Sequence, residues 1–326
     1  MSEQGRPLIV VVGCGNIGFR HVQALLSEKN HYDILAYDPD VAGLNAAEFA
    51  LLNQDKFASK ILKTTTEFPR NMDISLAIIA TNADVRFAVT ESLIQQNTVK
   101  SIVFEKVLFQ SKVEVDKMSS LLNQQSISAW VNCPRRMMPC YKKVKERINP
   151  QQPIKMELFG KNVGMACNAI HFLDLFFYLG NINPVNLDFQ TNLDDRLLKA
   201  KRSGFYELTG EIYLECDKHS IHINCDDDGG KEEIKIKIEN SGAEFQIDEI
   251  NSDILTVIDN ESIKSDFILP FQSQMSQKFS LGIIKHDKCE LPSFDESAKL
   301  HVAMIEAFLP QFNRLLHQSN DFIPIT

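Results

Sequence analysis

The sequence predicts an α/β protein in two parts. An N-terminal Rossmann-like, doubly wound parallel sheet is followed by an α+β part built on a large, mainly antiparallel open sheet. Two observations support this prediction. Over residues 8–130, apolar runs rich in β-branched residues alternate with amphipathic stretches, which is typical of a parallel sheet covered by helices. Beyond residue 132, strand-like segments follow one another with few helical stretches between them. We therefore predict two domains, residues 1–132 and 133–326.

The N-terminal strands are predicted from continuous apolar runs, because a parallel strand is buried on both faces. They are Leu8–Val12, Ile34–Tyr37, Leu76–Ala80, Ser101–Phe104 and Ile127–Val131. The helices predicted to alternate with them are Asn16–Glu28, Ala83–Gln95 and Lys112–Gln125.

The second part of the chain is richer in strands. Those predicted are Ile154–Phe159, Val185–Thr191, Tyr206–Glu215, Ser220–Asn224, Glu233–Glu239, Ala243–Ile247 and Ile254–Ile258. Ile234, Ile236 and Ile238 alternate with Lys235 and Lys237, which predicts a sheet with one polar face. The helices predicted for this part are Tyr141–Ile148 and Ser297–Leu316, together with the stretch around His171.

The composition is that of an ordinary globular protein, with 44% hydrophobic and 24% charged residues. The net charge of -9 disfavours a nucleic-acid or anionic-membrane surface. The 7 cysteines are scattered without a CxxC pair, so neither a disulfide framework nor a metal site is predicted. No apolar run reaches the roughly 20 residues that a membrane span needs, and we expect a cytoplasmic protein.

A glycine-rich loop follows the first predicted strand. The stretch LIVVVGCGNIG contains Gly13, Gly15 and Gly18 in the G-x-G-x-x-G pattern. The first glycine allows a tight turn, the second lets a pyrophosphate approach the backbone, and the third lets the helix pack on the strand. The amide groups at the helix N-terminus, at Asn16 and Ile17, are then expected to bind the phosphates. The alternative is a turn with a structural role alone.

Asp38 ends the second predicted strand, 20 residues after Gly18. A carboxylate at this place accepts hydrogen bonds from the adenosine ribose hydroxyls and repels the additional phosphate of NADP. No Arg follows closely in the chain, so we predict NAD rather than NADP as the cofactor. The alternative is that Asp38 is only a turn residue.

Hydride transfer between an alcohol and nicotinamide needs a group that exchanges the hydroxyl proton. Glu105 and Lys106 follow a predicted parallel strand, at the end where ligands bind in open α/β sheets. A Lys beside a nicotinamide cation is favoured in its neutral form, because like charges oppose one another. Lys106 is therefore a candidate general acid and base. The alternative is a surface Lys paired with Glu105.

A second candidate group lies in the stretch Asn168-Ala169-Ile170-His171-Phe172-Leu173-Asp174. On a helix, Asn168, His171 and Asp174 recur every three residues and share roughly one face. A buried His beside a carboxylate is a plausible proton donor and acceptor. The alternative is a core His that bonds Asp174 or a backbone carbonyl.

Taken together, these segments resemble the Gfo/Idh/MocA oxidoreductases, named for glucose-fructose oxidoreductase and inositol dehydrogenase. The resemblance covers nearly the whole chain. GCGNIGFRH at residues 13–21 is similar to the family's opening, and Thr81-Asn82 to its loop over the cofactor. Glu105-Lys106 resembles its Glu-Lys-Pro motif, whose Lys is catalytic. His171 and Asp174 resemble its H-x-x-D helix, whose His lies at the substrate.

The resemblance implies further roles and has two departures. Arg135 and Arg136 fall in the approach to the second domain, where they are expected to contact a substrate carboxylate or phosphate. The alternative for them is a salt-bridge pair at the domain junction. Val107 stands where the family usually has Pro. Cys167 stands where many members have Asp. Lys106 is therefore assigned the role of proton acceptor and donor, and His171 an orienting or relay role.

The predicted function is hydride transfer between NAD and a secondary alcohol or ketone of a sugar, cyclitol or sugar derivative. The substrate is expected in the cleft between the two domains, near His171 and Lys106, with Asn168 and Asp174 contributing to its binding. The Arg pair favours a nucleotide sugar or an acidic sugar. The resemblance also implies a homo-oligomer, a dimer or tetramer formed through the C-terminal sheet.

The sequence leaves two alternatives open. One is a regulatory or sensor protein of the same fold, which binds a dinucleotide without turnover. The other is an enzyme of this fold that acts on an imine or a bilin-like compound.

Overall fold

The computed structural model describes residues 6–26, 32–40 and 62–326. This part of the chain forms two compact units. The first unit comprises the described residues of Met1–Leu108, together with Asp116–Asn132 and Phe271–Phe294. The second comprises Phe109–Val115, Cys133–Pro270 and Asp295–Thr326. The division into domains at residues 132 and 133 stays a prediction.

The strands of the first unit are short and mostly apolar. They are β1 (Leu8–Val12), β2 (Asp33–Tyr37), β3 (Leu62–Thr65), β4 (Asp73–Ile74), β5 (Leu76–Ile79), β6 (Thr98–Val99), β7 (Ser101–Phe104) and β8 (Ser128–Val131). Six of them form a parallel sheet in the order β3-β2-β1-β5-β7-β8. Every residue of β5 and β7 is buried, which explains their continuous apolar sequence.

The described chain contains helices in both units. They are α1 (Asn16–Leu25), α2 (Ala83–Gln96), α3 (Lys112–Gln124), α4 (Pro139–Lys145), α5 (Met165–Gly180), α6 (Gln272–His286) and α7 (Phe294–Leu316). The first three lie where helices were predicted, except that α1 ends at Leu25 and residues 27 and 28 fall outside the described residues. Helix α6 was not predicted, and it belongs to the first unit despite its late position in the chain.

The second unit is built on an antiparallel sheet. Its strands are β9 (Lys155–Lys161), β10 (Asp188–Leu193), β11 (Leu198–Lys199), β12 (Tyr206–Glu207), β13 (Gly210–Cys216), β14 (His219–Asp226), β15 (Glu233–Asn240), β16 (Ala243–Asp248), β17 (Asp253–Ile258) and β18 (Glu261–Asp266). Eight of these pair in the order β10-β13-β14-β9-β15-β16-β17-β18, and only β14 and β9 run parallel. The predicted α/β fold class, with a mainly antiparallel second sheet, is confirmed.

Burial alternates along β14, as expected for a sheet with one covered face. One strand prediction was wrong in detail: Tyr206–Glu215 is divided into β12 and β13. The division lies next to Gly210, whose φ of 117° interrupts the extended backbone.

Helix α5 is apolar on nearly all sides, and 14 of its 16 residues are buried. A helix of this composition is either a core helix or a membrane span. Among the described residues, none of the helices combines the length and apolarity that a membrane span needs. The burial of nearly all its residues makes α5 a core helix of the second unit.

Candidate active site

Two glycines are required by the fold, one in the loop between β1 and α1 and one in the first turn of α1. Gly13 has a φ of 85°, and a side chain there would meet the backbone nitrogen of Thr81 at 2.8 Å. A side chain at Gly18 would overlap the carbonyl oxygen of Gly13. Helix α1 therefore approaches the end of β1 as closely as a backbone without side chains allows.

Gly15 is different, because the fold does not require a glycine at this position. Its φ of -61° is accessible to any residue, and an added Cβ would meet no atom of the described residues within 4 Å. Gly15 and Asn16 are exposed at the start of α1. The first N–H groups of a helix lack intrahelical acceptors, so the space beside Gly15 suits an anion. This open cradle fits the pyrophosphate of a dinucleotide.

Asp38 lies beside this loop. Its Oδ2 accepts a hydrogen bond of 2.8 Å from the backbone nitrogen of Cys14, and its Oδ1 accepts one of 3.0 Å from Asp40. The loop is also tied to β2 by a bond of 2.9 Å from the nitrogen of Gly13 to the oxygen of Tyr37. A carboxylate offers about four acceptor positions, so capacity remains for ribose hydroxyls.

The Cys14 thiol is buried in the same loop. Burial, reinforced by the negative charge of Asp38, raises its pKa well above the usual value. A thiol in this state is a poor nucleophile, so Cys14 serves packing rather than chemistry.

Glu105 follows β7 and is only 5% exposed. Its Oε1 accepts hydrogen bonds from Nε2 of His21 at 2.9 Å and from Nδ2 of Asn132 at 2.5 Å. The other ring nitrogen of His21 lies 2.7 Å from the hydroxyl of Ser276. Glu105 thus joins the end of β7 to α1 and, through His21, to α6.

The charge state of Glu105 follows from these contacts. Burial raises the pKa of the carboxyl group, but the hydrogen bond and charge of His21, with Asn132 and Arg86, lower it further than burial raises it. The pKa is therefore below its ordinary value, and the group is ionised at neutral pH. The sequence alternative pairs this carboxylate with Lys106, and in the structure it accepts hydrogen bonds from His21 and Asn132. No local sequence pattern indicates Asn132.

Lys106 is the one side chain between Ser101 and Ser111 that is not buried. Its neighbours Val107 and Leu108 are fully buried, and the Lys106–Val107 peptide bond is cis. Because Lys106 comes two residues after the end of β7, it lies at the carboxyl edge of the parallel sheet.

Thr81 and Asn82 follow the neighbouring strand β5. Asn82 is exposed and precedes the first residue of α2. Because β1, β5 and β7 are adjacent and parallel, the glycine loop, Thr81 and Lys106 all lie at the same edge of the sheet. The roles predicted for Thr81, Asn82, Glu105 and Lys106 remain proposals.

In the second unit, Arg135 is held by a buried carboxylate. Its Nε and Nη2 donate to Glu249 at 2.9 and 2.7 Å, and the hydroxyl of Tyr141 donates to the same carboxylate. The guanidinium group also lies 4.3 Å from the centre of the Phe172 ring. Glu249 and Tyr141 carry no sequence signal that singles them out.

Arg136 is paired in the same bidentate way. Its Nε and Nη2 donate to Asp174 at 3.0 and 2.6 Å. Asp174 is 1% exposed, and burial raises its pKa to about 6 against the opposing charge of Arg136. Ion pairing was the alternative to substrate binding for both Arg residues, and their contact with a substrate remains a prediction.

The pair of Arg135 and Glu249 yields a stability prediction. Replacing Glu249 with Gln is expected to lower the free energy of unfolding by about 3 kcal/mol, because Arg135 stays buried without its counter-charge. Urea denaturation measures the loss.

The matched control is Glu233→Gln, which breaks the exposed pair of Glu233 and Lys235. Its expected effect is within about 0.5 kcal/mol. Equal losses in the two variants would mean that Arg135 does not depend on Glu249.

Helix α5 carries the remaining predicted residues. The side-chain nitrogen of Asn168 donates to the carbonyl oxygens of Val163 and Gly164, near the start of the helix. His171 follows one turn later and is 9% exposed. The backbone nitrogen of Cys167 donates to the carboxylate of Glu207 at 3.2 Å. A carboxylate therefore lies at the N-terminus of α5, although position 167 itself has none.

The N-terminal part of the chain matches the model of a known protein family. Residues 8–133 match the Gfo/Idh/MocA model, described as "Oxidoreductase family, NAD-binding Rossmann fold". This part of the chain belongs to the Gfo/Idh/MocA oxidoreductase family. The family resemblance seen in the sequence is confirmed, and with it a domain that binds NAD. None of the curated proteins compared by sequence matches this chain.

Solved structures resemble the chain over almost its whole length. UDP-N-acetylglucosamine 3-dehydrogenase GnnA from Acidithiobacillus ferrooxidans has a TM-score of 0.69 at 13% identity, covering 93% of this chain and 97% of its own. An oxidoreductase from Agrobacterium radiobacter, solved with NAD+, L-tartaric acid and magnesium, has a TM-score of 0.70 at 16% identity. The match covers 93% of this chain and 95% of that one. The super-repressor mutant of Gal80p from Saccharomyces cerevisiae has a TM-score of 0.70 at 12% identity, and the match covers 97% of this chain and 98% of that one. At these identities the similarity establishes the fold.

Proposed function

We propose that this protein is an NAD-dependent dehydrogenase or reductase. It transfers a hydride between nicotinamide and a secondary alcohol or ketone of a sugar, cyclitol or sugar derivative. The observation that carries the proposal is the open space at Gly15. No described residue packs against this position, so we assign its glycine to the close approach of a pyrophosphate to the backbone at the start of α1.

The order of the strands supports an orientation for the cofactor. Strand β2, which ends at Asp38, lies on one side of β1, while β5 and β7 lie on the other. In folds of this order each half binds one mononucleotide. We therefore assign Asp38 to the adenosine ribose and the loops at Thr81, Asn82, Glu105 and Lys106 to the nicotinamide half. The pyrophosphate is assigned to Gly13, Gly15, Asn16, Ile17 and Gly18.

NAD, when bound, supplies the group that accepts or donates the hydride. Lys106 is proposed to take the hydroxyl proton from an alcohol, or to return it to a ketone. His171 is proposed to orient the reacting hydroxyl. Arg135, Arg136, Asn168 and Asp174 are proposed as substrate-side residues, where the two Arg groups keep donors that their carboxylate partners do not use.

A sugar is the substrate class that the relatives favour. GnnA is named for a dehydrogenation of UDP-N-acetylglucosamine. Within the proposed function, a nucleotide sugar or acidic sugar suits the two Arg side chains of the second unit, because guanidinium groups bind phosphate and carboxylate bidentately.

A second candidate function is a regulator that binds the dinucleotide without turnover. The observation that favours it lies at the start of α5, where Cys167 offers no side-chain carboxylate and the amide of Asn168 bonds the backbone that immediately precedes the helix. One solved structure of this fold is described as the super-repressor mutant of Gal80p.

Titration with NADH and NADPH, followed by fluorescence, tests the proposal. We expect NADH to bind and NADPH to bind more weakly. A panel of sugars and their keto forms, monitored by NADH absorbance, then separates the candidates, because the enzyme consumes or forms NADH and the regulator does not. A protein that binds neither cofactor would contradict both functions.

Asp38→Asn tests the selection of NAD over NADP. The amide oxygen still accepts the bond from Cys14, so the loop is expected to keep its conformation. The negative charge that repels the NADP phosphate is lost. We expect the preference for NADH over NADPH to fall about tenfold, equivalent to about 1.4 kcal/mol, as measured by the ratio of the two dissociation constants.

The control is Asp40→Asn, which removes an exposed charge of the same type two residues away. It should leave the ratio within about twofold. A ratio that does not change in Asp38→Asn would show that another residue selects the cofactor.

A further inference from the structure

Arg86 is a charged residue in an unusual place. It lies in the first turns of α2, yet it is 1% exposed. A guanidinium group does not lose its proton in proteins, and burying a charge is costly unless partners are supplied. The partners of Arg86 therefore indicate what the residue does.

The guanidinium group binds backbone carbonyl oxygens on two loops. Nη1 donates to Glu105 at 2.8 Å and to Leu108 at 3.1 Å, and it also contacts the oxygen of Val107. Nη2 donates to the oxygen of Thr81. Three of the four acceptors lie in the loop that carries Lys106, and the fourth lies in the loop after β5.

The acceptors flank Lys106 on both sides. The carbonyl of Glu105 precedes it, and that of Val107 follows it. These residues lie beyond the end of β7, where the sheet ladder no longer supplies donors, and buried carbonyl groups need a donor. One side chain therefore satisfies the backbone around Lys106 and ties it to the neighbouring loop.

We propose that Arg86 is a positioning residue of the nicotinamide end of the site. It holds the loop of Lys106 against the loop of Thr81 and Asn82, while the phosphate end is formed by the glycine loop. This inference rests on the proposed function. It distinguishes the two halves of the site, so the loss of Arg86 affects one half and spares the other.

The experiment compares NADH with ADP-ribose, which has the adenosine and pyrophosphate but no nicotinamide. In wild-type protein we expect NADH to bind more tightly than ADP-ribose. In Arg86→Met we expect ADP-ribose affinity within about twofold of wild type and NADH affinity lowered at least about tenfold, so that the difference disappears. Equal losses for both ligands, or no loss for either, would overturn the proposal.

Amide hydrogen exchange of the protein without cofactor tests the tie between the loops directly. Exchange is expected to rise in peptides that cover residues 80–83 and 105–109 and to stay unchanged at residues 13–18. Unchanged exchange in the first two peptides would overturn the tie. If exchange rises as expected but wild-type protein binds neither NADH nor ADP-ribose, the proposed function fails and the tie between the loops stands.

Two further variants separate positioning from general stability. Thr90→Val removes a buried hydrogen bond of the same helix, from Oγ1 of Thr90 to the Arg86 carbonyl, without touching either loop. It should leave the NADH to ADP-ribose ratio as in wild type. Arg86→Ala should regain NADH affinity in millimolar guanidinium ion but not in sodium ion. A lack of such rescue, together with a lower ratio in Thr90→Val, would assign Arg86 a purely structural role.

Discussion

Replacing Lys106 with Ala is expected to lower turnover by about 10²–10⁴-fold, the range typical for loss of a general acid or base. NADH binding should stay within about threefold of wild type, because the glycine loop and Asp38 remain. The physical reason is that the hydroxyl proton then has no acceptor on the sheet edge beside β7. Steady-state kinetics with a substrate found in the sugar panel measure the first quantity, and NADH fluorescence measures the second.

Two variants sharpen this result. Lys106→Arg keeps the charge, but a guanidinium group does not exchange its proton near neutral pH, so turnover is expected to be lost as well. Lys100→Ala removes an exposed Lys at the other end of β7 and should behave like wild type. Wild-type turnover in Lys106→Ala would remove the catalytic assignment.

Gly15→Ala is expected to weaken NADH binding at least about tenfold without changing the melting temperature. The added Cβ has no atom of the described residues within 4 Å and the backbone conformation is accessible to alanine, so we expect no steric clash within the fold. The same methyl group enters the space proposed for the pyrophosphate. Fluorescence titration and thermal unfolding of one protein sample measure both quantities.

Gly18→Ala, in the first turn of α1, is the contrasting variant. Its Cβ would overlap the backbone of Gly13, so both stability and NADH binding are expected to fall. Comparing Gly15→Ala with Gly18→Ala therefore distinguishes a glycine that ligand binding requires from a glycine that the fold requires. Wild-type NADH affinity in Gly15→Ala would contradict the phosphate site, and with it the proposed function.

Much of the first unit could be predicted from local patterns. The runs that form β1, β5 and β7 are apolar because both faces are covered, and this pattern is visible without knowledge of their neighbours. The position of Asp38 beside the glycine loop could be predicted for a related reason. Adjacent parallel strands end at the same edge, so residues that follow β1 and β2 come close together.

Other elements carried weaker signals. Strand β3 contains exposed and half-buried residues, and β18 is exposed throughout, so neither has the burial pattern that marks a strand in sequence. Helix α6 was missed although Met275, Phe279 and Ile283 recur every four residues and are buried, because the equally buried Ser276 and Ser280 make the same face look polar in the sequence.

The amino-acid sequence by itself determined the parallel and antiparallel sheets, the glycine loop, the acidic residue beside it and the Lys at the sheet edge. These features depend on residues close together in the chain or on the regular geometry of a sheet. Only the tertiary structure decided the partners of the charged groups, such as Arg86 with the Lys106 loop, Glu105 with His21 and Asn132, and Arg135 with Glu249. A buried charge needs a counter-charge or a carbonyl group at hydrogen-bond distance, and the fold can supply it from far along the chain, where no periodicity records the pairing.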